Sequence, residues 1–198
     1  MNQGCEEFVY VVLSGIASEI YYMASGEVIV FFLLGKGYTI GDIDAFFQQK
    51  YYCSIEALTP MTACQLNTRD LVQLVDEDTS LLKNVFGAFE NNAQAMGLQM
   101  WMRNAQRIHE RVKRLLSIFV KLSGSEWEET RVDVTHEELA TLINTDRASV
   151  TRALHRLQKE GFVKLGYDRL WVVGPLPSEE LDSTFRFDPL KRNISLLA

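Results

Sequence analysis

The residue types best suited to chemistry in this sequence lie on one short segment, Arg147 to Arg156. Within it Val150 and Leu154, followed by Leu157, recur at helical spacing and mark a buried face. Arg147, Ser149, Thr151, Arg152, His155 and Arg156 are left exposed. Such a face suits the major groove of DNA. A guanidinium forks onto guanine O6 and N7, while hydroxyls and helix N-terminal amides hold phosphates. Enzyme parts are not in evidence: there is no GxSxG, no phosphate-cradling glycine loop and no HExxH. His136 beside Glu137 and Glu138 imitates an acid–base cluster, but solvent exposure on a helix is the simpler account. Cys5, Cys53 and Cys64 show neither CxxC nor Cys/His ligand spacing, so they read as reduced thiols with no metal and no cofactor.

The elements that must hold this face are legible on either side of it. Thr135 with Glu138 forms an S/T-x-x-E capping box, which starts a helix at Thr135. Leu139, Leu142 and Ile143 share one face of that helix, and Ala140 is small enough for close packing. Asn144-Thr145-Asp146 interrupts the pattern and supplies a second N-cap. The next helix runs from Arg147 to about Glu160, and Gly161 suits the left-handed position after it. A two-stranded wing follows to Val173, turning at Gly166-Tyr167-Asp168, with Arg169 in reach of a DNA backbone. Helix, turn, helix and wing is the layout of a winged helix-turn-helix.

The segment from Thr135 to Gly161 resembles the C-terminal domain of the Crp/Fnr superfamily of bacterial transcription regulators. Their pattern runs T-x-x-E/D-L/I-A-x-x-x-G-x-[ST]-R-x-[ST]-V-x-R-x-L-x-x-L-x-x-x-G. This chain matches it at Thr135, Glu138, Leu139, Ala140, Arg147, Ser149, Val150, Arg152, Leu154, Leu157 and Gly161. Asn144 replaces the turn glycine and also tolerates positive φ. Ala148 replaces a Glu that often reads cytosine, so no operator sequence carries over. The resemblance implies a guanine contact from Arg152, then Arg147, with Ser149 and Thr135 on phosphate.

Ahead of this reader, residues from Phe8 to about Cys64 form short β-rich runs broken by Gly and Ser, the pattern of a sandwich or barrel. Val9-Tyr10-Val11-Val12-Leu13-Ser14-Gly15, Gly37, Gly41-Asp42 and Glu56-Ala57-Leu58-Thr59 resemble the cyclic-nucleotide-binding-type effector domain of the same family. The resemblance implies a jelly roll whose first strands are short or missing here, leaving an open sheet edge. It also places an effector pocket at Gly41, Asp42, Tyr51 and Tyr52. Asp42 can take a sugar hydroxyl, but the Tyr51-Tyr52 pair stands where the cyclic-AMP-binding branch carries Arg-Ser/Thr. Burying a phosphate without a cation is costly, so tight cyclic-nucleotide binding is not expected. Cys5 alone is too few thiols for a four-thiolate iron–sulfur cluster, and His109, His136 and His155 all lie outside the β region. Phe31-Phe32 and Phe46-Phe47 read first as core and second as an aromatic pocket lining.

Between the two parts, Thr68 to about Ser123 reads as helical, with a break near Asn104–Arg107 as the hinge. Leu81, Leu82, Val85, Phe86, Phe89, Ala93, Met96, Met100 and Ala105 make a long apolar stripe. The family uses the equivalent helix for parallel dimerisation. After the hinge Arg107, Arg111 and Arg114 share a face that suits either phosphates or acids of the wing. Charge is split in the same sense. Residues 1–100 hold 4 Lys/Arg against 12 Asp/Glu, and residues 101–174 hold 13 against 10, so a net −6 conceals a basic end.

The expected organisation is α+β: a shortened β jelly-roll effector domain over 1–67, a helical dimerisation segment over 68–105, a winged helix-turn-helix over 106–174 and an extension over 175–198. The implied protein is a cytoplasmic, dimeric, DNA-binding regulator of a two-fold-symmetric operator. Its partners are double-stranded DNA, an unknown small-molecule effector and, if it activates, RNA polymerase; it is not an enzyme. The alternative is a winged-helix protein-interaction module without sequence-specific DNA binding.

Overall fold

A computed structural model describes residues 7–42, 52–124, 129–167 and 169–174. Among the described residues the front part is built of strands: β1 (Phe8–Ser14), β2 (Ala17–Tyr22), β3 (Val28–Leu34), β4 (Thr39–Ile40), β5 (Ser54–Ala57) and β6 (Thr62–Asn67). They form two three-stranded antiparallel sheets, ordered β4-β1-β6 and β3-β2-β5. Two segments that carry the family resemblance meet here. Gly15 has φ +88°, and a Cβ on it would fall 2.4 Å from the Pro60 carbonyl. Beside it Ile16 N–H donates to Thr59 Oγ1 at 2.8 Å and Leu58 N–H to the Ile16 carbonyl at 2.8 Å. Gly15 is required both for its backbone angle and for this approach.

The helical middle comprises α1 (Thr68–Glu77), a 3-10 turn (Thr79–Leu81), α2 (Leu82–Arg103) and α3 (Ile108–Ser123). The break at 104–107 matches the sequence reading, but a second break lies between α1 and α2. Asp78 causes it: its carboxylate takes the Ser80 N–H at 2.9 Å and so competes with helix continuation.

Helix α2 lies along β3, burying Asn92, Ala95, Leu98, Gln99 and Met102. A bulge in the β2–β3 ladder opposes Glu19 to Phe32 and Ile20 to Val30, leaving Phe31 unpaired. The Val30 carbonyl beside this bulge accepts from Gln99 Nε2 at 3.5 Å and from the Arg103 guanidinium. Asn91 and Asn92 donate to the Gly37 and Thr39 carbonyls, each at 3.4 Å. Side-chain donors of the helix thus meet backbone acceptors of β3, of the turn after it and of β4.

The bend after α2 exposes carbonyls that a continuing helix would have paired. Two arginines of α3 fold back onto them. Arg111 Nε donates to the Ala105 carbonyl at 2.9 Å, and Arg114 Nη1 donates to the Trp101 carbonyl at 2.6 Å. The Arg114 guanidinium also stacks on the Trp101 ring, 4.5 Å from its centroid. Arg111 and Arg114 therefore serve the hinge, where the sequence had suggested phosphates or wing acids.

Beyond the hinge come β7 (Thr130–Val132), α4 (His136–Leu142), α5 (Arg147–Lys159), β8 (Val163–Gly166) and β9 (Arg169–Val172). Helices α3 and α4 pack on α5 around Val112, Leu115, Leu116, Leu139, Ile143, Val150, Leu154 and Leu157. The wing is three-stranded, ordered β7-β9-β8, where the sequence suggested two strands. Gly35 brings the sheet end against α3, since a Cβ there would lie 2.9 Å from that of Leu122. The β domain, long helix and winged helix-turn-helix read from the sequence are all present.

Removing the hinge bond has a defined outcome. Arg114→Ala leaves the Trp101 carbonyl without this donor and is expected to cost about 1.5–3 kcal/mol, the usual range for a hydrogen bond to a charged group. Thermal unfolding would show a lower midpoint, and limited proteolysis would show faster cutting within 104–107. An unchanged midpoint and an unchanged cleavage pattern would mean that the arginine is idle.

Candidate nucleic-acid interface

Two caps set the reader helices in place. Thr135 Oγ1 accepts from the Glu138 N–H at 3.2 Å while the Glu138 carboxylate accepts from the Thr135 N–H at 2.6 Å, completing the capping box. Thr135 is the N-cap and the helix proper begins at His136. Asn144 sits at φ 51°, the left-handed angle that the turn needs. Asp146 then caps α5 by accepting the Ser149 N–H at 2.8 Å.

Helix α5 exposes Arg147, Ala148, Arg152, His155 and Arg156, and half-exposes Thr151. One expected member of that face is absent: Ser149 is buried, at 8% exposure. Its hydroxyl donates to Asp146 Oδ2 at 2.6 Å and accepts from Arg152 Nη2 at 2.7 Å. The N-cap carboxylate thus turns this first-turn hydroxyl back along the helix. Arg156 is exposed but paired with Glu160 at 2.9 Å, so it is tied along the helix. The Ser149 bonds, side chain first and backbone second, hold the Asp146 carboxyl below its ordinary range.

His136 departs from its sequence reading as well. It is half-buried, with Nδ1 3.0 Å from Thr151 Oγ1, which itself donates to the Arg147 carbonyl at 3.0 Å. Burial, then the charges of Arg147 and His155, lower its pKa. Residues from both helices therefore meet at one edge: His136 from α4, and Arg147, Thr151 and His155 from α5. On the wing Arg169 is exposed at the start of β9, and Tyr167 at the tip is 94% exposed, while Asp168 lies outside the described residues. Sequence reasoning passed over Tyr167, although an aromatic residue in a two-strand turn was a visible signal.

Of the residues assigned to an effector pocket, Gly41, Asp42 and Tyr52 are among the described residues. Gly41 is buried at φ 79°, and the buried Asp42 carboxylate accepts from Thr39 Oγ1 at 2.7 Å. Tyr52 is 77% exposed. Tyr51, Phe46 and Phe47 lie outside the described residues. Of the other aromatic pair, Phe32 is core and Phe31 is 37% exposed, meeting Tyr21 edge-on at 5.5 Å.

Comparison with known proteins agrees with this architecture. Residues 1–78 match the family model of the cyclic nucleotide-binding domain, and residues 110–174 match that of the Crp-like helix-turn-helix domain. A cyclic AMP receptor protein of Thermus thermophilus is 24% identical over 163 residues, covering 76% of this chain and 73% of the relative. Among solved structures, a CRP-family transcriptional regulator of the same species superposes with TM-score 0.70 at 20% identity, covering 90% of this chain and 89% of the other. FixK2 of Bradyrhizobium japonicum superposes with TM-score 0.72 at 14% identity, covering 88% and 86%. A c-di-GMP responsive global regulator of Xanthomonas campestris does so at 0.67 and 19%, covering 87% of each chain. At these identities the superpositions establish the fold. With a cyclic nucleotide-binding domain leading into a Crp-like helix-turn-helix domain on one chain, the protein belongs to the Crp/Fnr superfamily of transcription regulators.

Proposed function

We propose that this regulator binds a two-fold-symmetric DNA operator as a homodimer, with α5 in the major groove and Arg152 and Arg147 as its base-reading residues. The observation that carries the reading is the exposed edge of α5, where Arg147, Arg152 and His155 stand with no acidic side chain of that helix before Glu160. Thr135, Thr151 and His136 sit where phosphates would flank such a helix, and Arg169 does so from the wing. Ser149 is withdrawn from the list of phosphate contacts, because it is buried and its hydroxyl is shared between Asp146 and Arg152.

The dimer reading rests on α2. Leu82, Phe86, Phe89, Ala93, Met96 and Met100 follow one another at steps of four and three residues, a heptad seam. Phe86 is 68% exposed and Met100 72%, and Leu82 and Ala93 are exposed as well, so most of the seam is open, while Met96 packs partly against the core. Large apolar side chains at such spacing form a partner surface. A parallel pair of α2 helices places two copies of α5 about one helical turn of DNA apart, roughly 34 Å.

The effector reading is a small molecule other than cyclic AMP. Supporting it is the absence of a cation at Tyr51-Tyr52, where the cyclic-AMP-binding branch pairs the phosphate. Relatives sharing this fold are named for different ligands, cyclic AMP in one and c-di-GMP in another. Among the described residues no helix is long and apolar enough to cross a membrane.

Selection of the purified protein against a random duplex library should enrich a two-fold-symmetric site. Arg152→Ala should lose about 1–3 kcal/mol per half-site on that duplex and far less on random DNA. A library that stays unenriched, with DNA affinity indifferent to Arg152, would favour a protein-binding winged helix. The seam has its own test. Phe86→Glu combined with Met100→Glu sets like charges face to face and should weaken self-association at least about tenfold in sedimentation equilibrium. A variant that stays dimeric would place the interface elsewhere.

A further inference from the structure

We infer that Asp146 and Ser149 act as a positioning pair for Arg152, so that the N-cap of α5 sets the sequence discrimination of the reader as well as its start. The inference deepens the DNA reading above and rests on Arg152 being a base contact.

A serine hydroxyl has one proton and two lone pairs. Here the proton goes to Asp146 Oδ2 at 2.6 Å, which commits the remaining lone pairs to donors. Arg152 Nη2 supplies one at 2.7 Å. Asp146 is fixed in turn, because its other oxygen caps the Ser149 N–H at 2.8 Å. The result is a directional chain: carboxylate, hydroxyl, guanidinium. It runs along the direction in which helical side chains lean, toward the N-terminus, where a groove-bound helix meets base edges. Arg152 is a long, exposed side chain whose ordering would otherwise oppose binding. Holding one of its five N–H groups on Ser149 leaves the others to fork onto guanine from a fixed position.

The carboxylate has a second effect. The family pattern has Ser or Thr where this chain carries Asp146. A negative charge at the groove-facing end of α5 opposes the indiscriminate pull of phosphates on Arg152, which lowers affinity for every sequence alike. A correct base contact offsets this on the operator only. Discrimination therefore rises while non-specific affinity falls.

The test uses the full chain, the duplex enriched from the random library, and a random duplex of equal length. The readout is the ratio of the two affinities. Ser149→Ala keeps the backbone N–H that Asp146 caps, so the helix stays formed, yet Arg152 loses its acceptor. The ratio should fall about tenfold. Introduced into Arg152→Ala, the same change should alter the ratio by less than about twofold, the mark of residues acting as one unit. Asp146→Asn is isosteric and can still cap through its amide oxygen, but its NH2 group cannot accept the Ser149 proton. It should lower the ratio like Ser149→Ala while raising affinity for random DNA.

Equal loss on both duplexes from Ser149→Ala, persisting in the Arg152→Ala background, would make Ser149 an independent phosphate contact and overturn the inference. Asp146→Asn with an unchanged ratio would overturn it too. If Arg152→Ala itself leaves the ratio unchanged, or no duplex is ever enriched, the base-reading assignment fails first and this inference falls with it.

Discussion

The bend between α2 and α3 depends on two arginines pairing with carbonyls that a straight helix would have used internally. A helix that stops leaves backbone acceptors unmet, and burying them unmet is costly. Arg111 and Arg114 reach back from the next helix to the Ala105 and Trp101 carbonyls, and the Trp101 ring takes the guanidinium face. The reader domain is thereby held at a set angle to the helix that carries it. Gly35 against Leu122 adds a close contact between the end of β3 and the same reader.

Helix α2 has two working faces, and they differ in kind. Toward the β domain it offers Asn91, Asn92, Gln99 and Arg103, whose donors meet the backbone of β3 and of the turn beyond it. Away from the β domain it offers an apolar seam. Arg103 and Gln99 both hold the Val30 carbonyl, close to the hinge. Polar contacts of this kind are directional and can be exchanged, whereas an apolar seam is not, so the helix couples an adjustable face to a fixed one.

Local chemistry was legible in the sequence, and long reach was not. The capping box of Thr135 and Glu138 and the N-cap at Asp146 each involve residues within one turn, so spacing alone reveals them. The left-handed turn at Asn144 and the break at 104–107 were equally open to reading. Ser149 was misplaced because helical periodicity counts positions and takes no account of a carboxylate three residues earlier and an arginine three residues later that engage its hydroxyl. Arg111 and Arg114 were left between phosphates and wing acids because their true acceptors exist only once the chain has bent. Strand β7 was missed since three residues carry no period of their own and depend on β9 for pairing. In the effector region Asp42 is engaged by Thr39 and Tyr52 is exposed, neither of which alignment to a motif can foresee.

These features converge on α5, whose cap, hydroxyl and arginine are bonded in series while its outer edge stays basic despite a net charge of −6. That edge is the centre of the account, and salt reports on it directly. Affinity for the enriched duplex, measured across a series of salt concentrations, should fall linearly on logarithmic axes. The expected slope is about −4 to −8, as several phosphates on each half-site release their counterions. A slope near zero would mean that the basic edge of α5 does not meet a phosphate backbone, and would contradict the DNA-reading assignment.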